Sequence, residues 1–557
     1  MASSPVAGAR DNTATMGGGL AALLLENVAG SPNSYLTIFA IPALLFFFRW
    51  VTTPSMSARE PPLVKPTIPV IGHIIHLLGK EGAFYTNIYK KTPMPIATLP
   101  LANHKIYFVT SPSLIQASLK NKNLSFDPFM VEFGKLMLGF SDAEWNPLVN
   151  QQLVDDFVRA IHGAMLGEHL HKMNATALKY IAERLDQIGT QPLKVDNLYM
   201  WTRQLVTMAT AEALYGHANP AREAPEFLDD IWTMGTGIYH MVITRFLPSV
   251  FAPDALAARA RLQSTLGAYY SARHDSNPDV ARIVKARADT LRRYGFSDAQ
   301  IGRFEMAMYH VATANTIPTL FWFLCHVFAD PAIIARAREE LDAFVTQSMS
   351  LPSSGKRRVT INVSTLEARA PFLVSIYRET TRMYAQNVVN RRVMADTELV
   401  SATGERYTLK KGADMHLPAE VAHTLSDVWG RDSDEFVADR FLQQQQQVQA
   451  ATSGKDRRTT AQAFIPFGGG KHLCPGRNFA FAENLAMVLA LAVGFEVRRA
   501  EDGGPVPVPK SAVGRLGHGI LNPEGLGEGL EVNIERRKGW EDVEWRFVST
   551  SSTATSS

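Results

Sequence analysis

Hydrophobic positions in this chain fall mostly into long amphipathic stretches with the spacing of helices. Strand-like pattern is confined to short segments. Ile96-Ala97-Thr98-Leu99-Pro100 and Lys105-Ile106-Tyr107-Phe108-Val109-Thr110 are rich in β-branched and aromatic residues and predict a hairpin. The longest helical stretch opens at Ser297-Asp298-Ala299-Gln300, a capping box with Ser297 as N-cap and Gln300 at N3. It stays apolar to Ala329, where Asp330-Pro331 opens the next helix in N-cap, N1 order. A helix of about 33 residues is roughly 50 Å long and crosses a whole domain. Pro318 lies inside it and predicts a kink, because proline lacks the amide hydrogen and its ring crowds the preceding turn. The expected fold is therefore mainly α with small β-sheets.

Two segments stand outside that pattern. Tyr35 to Phe48 reads YLTIFAIPALLFFF and is followed by Arg49-Trp50-Val51. With Arg49 snorkelling, 35–51 approaches the about 20 residues of a membrane-spanning helix. A cleaved signal peptide is the other reading. It fits less well, because the run starts far from Met1 and no basic segment directly precedes it. Arg49, Arg59 and Lys65 follow the run, so the positive-inside rule puts the downstream bulk in the cytosol. Residues 60–69 read EPPLVKPTIP, a proline density that predicts a stiff, extended linker. The expected organisation is a lumenal tail (1–34), a transmembrane anchor (35–51), a proline-rich hinge (52–72), one catalytic domain (73–548) and a disordered Ser/Thr-rich tail (549–557). Gln443 to Gln447 is expected in a solvated insertion.

With 46% apolar residues the chain can bury a large core, and with 56 basic against 53 acidic residues it has no charge excess to favour a nucleic-acid partner. The two cysteines, Cys325 and Cys474, are too few for a disulfide scaffold. Cys325 lies in the apolar run Leu320-Phe321-Trp322-Phe323-Leu324 and is expected as a small core residue.

Cys474 stands in Phe467-Gly468-Gly469-Gly470-Lys471-His472-Leu473-Cys474-Pro475-Gly476. Glycine at this density suits sharp turns and close backbone approach to a ligand. A zinc site needs several Cys or His ligands at short spacing, and only His472 is near. A phosphate loop requires Ser or Thr after the lysine, and His472 stands there instead. A heme thiolate needs one cysteine, a tight loop, amides turned toward the sulfur and a following helix. Arg477 to Leu485 begins such a helix, whose dipole and free amides stabilise a thiolate.

Phe467-x-x-Gly470-x-x-x-Cys474-x-Gly476 resembles the heme-binding signature of the cytochrome P-450 superfamily. The resemblance implies that Cys474 is the axial ligand of heme b iron and that His472 pairs with a heme propionate. Glu379-Thr380-Thr381-Arg382 resembles the family's Glu-x-x-Arg helix, and Phe436-Val437-Ala438-Asp439-Arg440-Phe441 its meander, with Ala438 in place of proline. It implies a buried triad of Glu379, Arg382 and Arg440 that fixes the heme loop. The chain lacks the usual Trp-x-x-x-Arg, so a propionate needs another partner. Arg391 and Arg392 are the candidates, against a solvated strand pair.

The family's acid–threonine pair of the central helix is here Asn315-Thr316. Asparagine cannot serve as an acid but can hold a water, and Thr316 can still hydrogen-bond activated oxygen. Ala314-Asn315-Thr316-Ile317-Pro318 with Phe321-Trp322 is similar to the branch of sterol 7α- and 12α-hydroxylases and prostacyclin synthase. That branch contains oxygen-dependent hydroxylases and reductase-independent peroxide isomerases, and the retained Thr316 favours hydroxylation. A non-catalytic heme sensor is the alternative from another class. Phe129, Met130 and Phe133 resemble the loop over the heme, and Leu516 and Ile520 a late turn into the pocket. Either set could equally be core. The resemblance implies dioxygen and NADPH-derived electrons as co-substrates, an NADPH–cytochrome reductase and membrane lipid as partners, and no nucleic acid. It further implies an endoplasmic reticulum membrane location and a large apolar substrate, a sterol or polycyclic terpenoid of steroid or secondary metabolism.

Overall fold

Two apolar helices in series form the axis of the molecule, and small sheets flank them. The computed structural model describes Ala43 and most of 55–550. Outside the described residues lie 1–42, 44–54, 67–71, 75–76, 78–83, 102–103, 225, 244–246, 352–354, 445–454, 515–518 and 551–557. The expected tail 1–34, the anchor 35–51 apart from Ala43, Leu516, and most of 549–557 thus fall outside them.

The principal sheet contains β1 (Ile96–Leu101), β2 (His104–Val109), β3 (Leu124–Ser125), β4 (Val388–Val393) and β5 (Asp414–Pro418). Their order is β1-β2-β5-β4-β3. The expected hairpin is β1 against β2, antiparallel, with Ile96 opposite Val109. The proline-rich hinge is partly built into this sheet. The Val64 amide donates to the Thr98 carbonyl at 2.9 Å, and Thr98 donates back to Pro62 at 2.7 Å. Glu60 is buried and accepts from Tyr107 Oη at 2.8 Å and Lys105 Nζ at 2.5 Å. Prolines cannot complete a ladder, so the contact stops after a few bonds.

The helices that position the site are α1 (Asp127–Leu138), α2 (Leu198–Tyr215), α3 (Glu226–Ile243), α4 (Asp298–Thr313), α5 (Thr316–Ala329), α6 (Pro371–Tyr384) and α7 (Arg477–Gly494). The capping box that starts α4 is complete, with the Ser297 hydroxyl accepting from the Gln300 amide and the Gln300 side chain accepting from the Ser297 amide. The expected single helix is two. The break falls at Ala314-Asn315, one turn before Pro318. The reason is that Pro318 has no hydrogen to donate to the Ala314 carbonyl, so the helical ladder is interrupted there and not at the ring. Asp330 caps the following helix by accepting from the Ala332 amide, with Pro331 beside it.

Every residue of α5 from Thr316 to Phe328 is buried, including Cys325. Helix α5 packs against α2, α6 and α7. The 298–329 stretch is long and apolar enough to cross a membrane, but it is mostly buried within the protein and so is a core element here.

Candidate active site

The cysteine loop is assembled from constraints on both sides. Gly470 has a φ of +66°, and a Cβ there would lie 2.6 Å from the Leu119 carbonyl oxygen, so only glycine fits. The Cys474 amide donates to the Phe467 carbonyl at 3.0 Å, which closes the loop. Gly476 has ordinary helical φ and caps α7. A Cβ on it would meet nothing nearer than the Cys474 sulfur at 3.9 Å. Burial pushes the Cys474 thiol up, while the amides of Gly476 and Arg477 and the Arg477 charge oppose it. These are the inward-turned amides and following helix that a thiolate ligand needs. Arg477 also donates to the Cys474 carbonyl at 2.9 Å. Phe467 is half-buried and lines, with Arg477 and Phe481, a surface cleft of about 300 Å³.

Beneath this loop Glu379 binds both arginines. Arg382 grips it bidentately, with both bonds at 2.8 Å, and Arg440 Nε donates to Oε1 at 2.9 Å. All three side chains are almost wholly buried. The remaining guanidinium hydrogens are spent on carbonyls of 423–435. Arg382 donates to His423 and Ser433, and Arg440 to Trp429 and Asp432. The triad thus folds the meander around itself.

His423, which the sequence reading missed, continues the chain of contacts. Its Nδ1 pairs with the Arg382 carbonyl at 3.1 Å, and its Nε2 accepts from the Ile465 amide at 3.0 Å. Burial pushes it down to about 3, so it is neutral and can donate on one side and accept on the other. One imidazole therefore couples the triad to the strand of chain entering the cysteine loop. A single His in Val421-Ala422-His423-Thr424 carries no signal of that in sequence.

On the other side of the loop, Arg391 is buried and donates to the carbonyls of Asn390 and Gly469, both at 2.7 Å. Among the described residues it forms no ion pair. Burial pushes it down to about 10. A buried guanidinium without a carboxylate is costly, and an anion beside it would relieve the cost. Arg392, the other candidate, points away. It pairs with Asp414 and Glu132 and lies over the Phe129 ring.

His472 meets Asp127, with Nε2 2.6 Å from Oδ1, and Lys471 meets Asp127 and Asp155 at 2.9 and 2.7 Å. Burial pushes Asp127 up, but hydrogen bonds from His472, Lys471 and Gln151 outweigh it and hold the carboxyl well below its usual range. Phe126 packs edge-on to the His472 ring. Phe126 and Asp127 lie in the 125–133 segment that resembles the loop over the heme, but nothing in the sequence showed that they meet His472, 345 positions from Asp127.

At the helix break Thr316 is buried and its hydroxyl lies 3.4 Å from the Ala312 carbonyl. Asn315 is exposed, and its Oδ1 accepts from the Ile520 amide at 3.1 Å. Ile520 is buried and bridges to Ala385. Phe129 and Met130 are half-buried on α1, and Phe133 is exposed there. Helix α1 packs on α3, α4 and β4.

These residues fit a heme. Cys474 offers one sulfur backed by amides. Arg391 offers a buried cation that forms no ion pair among the described residues. The Gly468–Gly470 stretch leaves no side chain between the loop and its surroundings. Among the described residues no cluster of His, Cys, Asp and Glu suits a free metal ion.

Comparison with known proteins agrees. The cytochrome P450 family model matches residues 61–522. A cytochrome P450 monooxygenase of Gibberella zeae is 35% identical over 508 residues, which cover 91% of this chain and 95% of the relative. Cytochrome P450 monooxygenase nodJ of Hypoxylon pulicicidum is 29% identical over the same coverage. The 7-alpha-hydroxycholest-4-en-3-one 12-alpha-hydroxylase of Oryctolagus cuniculus is 25% identical over 86% of this chain and 95% of its own length. Matched along nearly its whole length, the chain belongs to the cytochrome P450 family of monooxygenases, enzymes of heme iron and dioxygen fed by a redox partner.

Proposed function

We propose that the protein is a membrane-anchored monooxygenase that oxidises a large apolar substrate, a sterol or polycyclic terpenoid, with electrons from an NADPH–cytochrome reductase. The observation that carries this reading is the pairing of two devices in one packed core. Cys474 sits at the start of α7, and α7 packs on α5, which starts at Thr316 beside the helix break. When bound to Cys474, heme b would supply the chemistry that splits dioxygen and inserts one oxygen atom into carbon.

The chain's own residues have separate tasks. Cys474 holds the group through its sulfur, and Phe467, Gly470 and Gly476 shape the loop that presents it. Arg391, and His472 within its pair with Asp127, would hold the propionates of the bound group. Glu379, Arg382 and Arg440 keep the loop rigid through His423. The Thr316 hydroxyl donates a proton at the oxygen-binding side. The Asn315 side-chain N–H groups can orient a water beside it, since its carbonyl is taken by Ile520. Phe129, Met130, Phe133 and Ile520 bound the space for substrate; Leu516, outside the described residues, joins them from the sequence alone.

Sterol- or terpenoid-like size is supported by the apolar character of those residues. It is also supported by likeness to a relative named for a 12-alpha-hydroxylation of 7-alpha-hydroxycholest-4-en-3-one. The apolar run 35–51 and the basic residues after it support a single-pass anchor in the endoplasmic reticulum membrane with the catalytic domain in the cytosol.

The test supplies labelled dioxygen, NADPH, a reductase and a panel of sterols and terpenoids chosen by substrate-induced heme spectral shifts. Label in the product is expected. Product formed at full rate without reductase or dioxygen would overturn the reading in favour of a peroxide isomerase.

A further inference from the structure

The turn at 519–522 is fastened from four directions. The Gln386 amide donates to the Gly519 carbonyl at 2.8 Å, and the Leu521 amide to the Tyr384 carbonyl at 2.9 Å. Trp322 Nε1 donates to the Leu521 carbonyl at 2.7 Å, and the Tyr199 hydroxyl to Asn522 Oδ1 at 2.9 Å. The Trp322 ring lies flat on Tyr384 with centroids 4.1 Å apart. These bonds come from α2, α5 and the end of α6, all in the core.

A further bond differs in origin. It comes from the break in the central helix, where Asn315 Oδ1 accepts from the Ile520 amide. The fit is tight, because a Cβ on Gly519 would lie 2.2 Å from Asn315 Oδ1 and 2.7 Å from its Cγ. No residue larger than glycine can stand at 519 while this bond exists. Asn315 is exposed, and so is Val311 one turn earlier, at 59%. Val311 near the end of α4 and Asn315 at the break, four residues apart, leave one uncovered strip on an otherwise mostly covered segment. Asn315 thus stands on that strip and reaches sideways to hold the turn.

We propose that Asn315 is a positioning residue. Its side-chain carbonyl locks the 519–522 turn to the helix break, so that the turn forms a fixed wall of the substrate space and sets which carbon is presented for oxidation. This rests on the monooxygenase reading for its consequence, but not for the contact itself. An alanine at 315 frees the Ile520 amide and lets the turn breathe. An aspartate keeps an oxygen at the same place and preserves the lock.

The experiment reads the contact and its consequence separately. Backbone hydrogen exchange of the peptide containing Ile520 is measured without substrate in the heme-loaded enzyme, for the parent, Asn315→Ala, Asn315→Asp and Thr316→Ala. The loss of one hydrogen bond should speed exchange about tenfold in Asn315→Ala. Asn315→Asp and Thr316→Ala should match the parent. Unchanged exchange in Asn315→Ala overturns the proposal. If that variant fails to fold, Gly519→Ala displaces the same side chain and is expected to give the same acceleration; no acceleration there also overturns it. Product analysis then follows. Asn315→Ala should spread oxidation over neighbouring carbons while keeping the thiolate–heme spectrum. A single unchanged product at lower yield overturns the specificity role. If the parent incorporates no labelled oxygen, the monooxygenase reading fails, and the exchange data still decide the lock.

Discussion

Cys474 and Cys325 are the two thiols of the chain, and their surroundings separate them. Cys325 is fully buried in α5, and desolvation pushes its thiol far up, so it stays protonated and inert. Cys474 is partly accessible and has amides turned toward it. Cys474→Ser should abolish the carbon monoxide difference band of a thiolate-bound heme, and Cys325→Ser should leave it; the reverse result would sink the assignment. Thr316 is the other residue-scale test. Thr316→Ala should keep heme and substrate binding but lose product roughly 10- to 100-fold, with electrons released as hydrogen peroxide, because a positioned proton donor is worth about that much. Oxygen consumption against product formation checks it. Cys474 stood out in sequence because a rare residue type lay in a constrained local pattern, whereas Thr316 was singled out only by the family resemblance. Asp127 and His423 were not, since each acts through partners hundreds of positions away or through main-chain atoms.

The meander and α6 depend on the Glu379 triad at the level of elements. Glu379, Arg382 and Arg440 are buried together, and the two arginines donate to carbonyls from His423 to Glu435. Removing Arg440 leaves Glu379 to Arg382 alone, takes one charged donor from its Oε1 and strips the Trp429, Asp432 and Glu435 carbonyls of their buried donor. Arg440→Ala should therefore cost about 3–5 kcal/mol and release heme on mild heating, where a surface arginine such as Arg159 should cost almost nothing. Thermal unfolding followed by the heme band compares the two. The pairing of Glu379 with Arg382 could be expected from their three-residue spacing, whereas its burial was expected only from the family resemblance. An isolated pair of that spacing on a helix surface contributes only about 0.2–0.5 kcal/mol. The long helix gives a similar lesson. Its start and its proline were legible, while the position of the break required knowing which carbonyl goes unbonded.

Buried titratable groups set the behaviour of the whole molecule with pH. Burial pushes His310, His326 and His416 down to about 4 and His423 to about 3. Each folded value lies below the unfolded value of about 6.5, so the unfolded chain binds more protons in acid. Their contribution is intact above about pH 6.5 and is lost as pH falls toward 4 and 3. Glu483 on α7 runs the other way. Burial pushes it up to about 8, and Thr210 bonds one oxygen at 3.2 Å. Its contribution is present below about pH 4.3 and is lost as pH rises through 8. Stability should peak near neutrality and fall steeply in acid. Glu483→Gln should flatten the decline between about pH 6.5 and 8, as thermal unfolding across pH would measure. The hinge gives a second test at this scale. Because Glu60 and 61–64 are bound to the sheet, truncation should stop before residue 55, leaving Glu60 in place. That variant should leave the membrane fraction largely, with some peripheral binding retained, and keep its heme; full retention in membranes would count against the anchor.

Local chemistry by itself determined much of this protein. Helical periodicity, the capping box at Ser297, the hairpin at 96–109 and the glycine-rich cysteine loop are properties of short stretches, and short stretches can be read from residue types alone. The same holds for the likeness to the cytochrome P450 family. The tertiary structure decided which charges meet. Among the described residues it left Arg391 without an ion pair and spent Arg392 on two carboxylates, turned Asp127 onto His472, and used the Asn315 side-chain carbonyl to hold Ile520 across the chain. These outcomes depend on desolvation and on contacts between distant segments. The energy of a buried charge or hydrogen bond is set by everything that surrounds it and not by its neighbours in sequence.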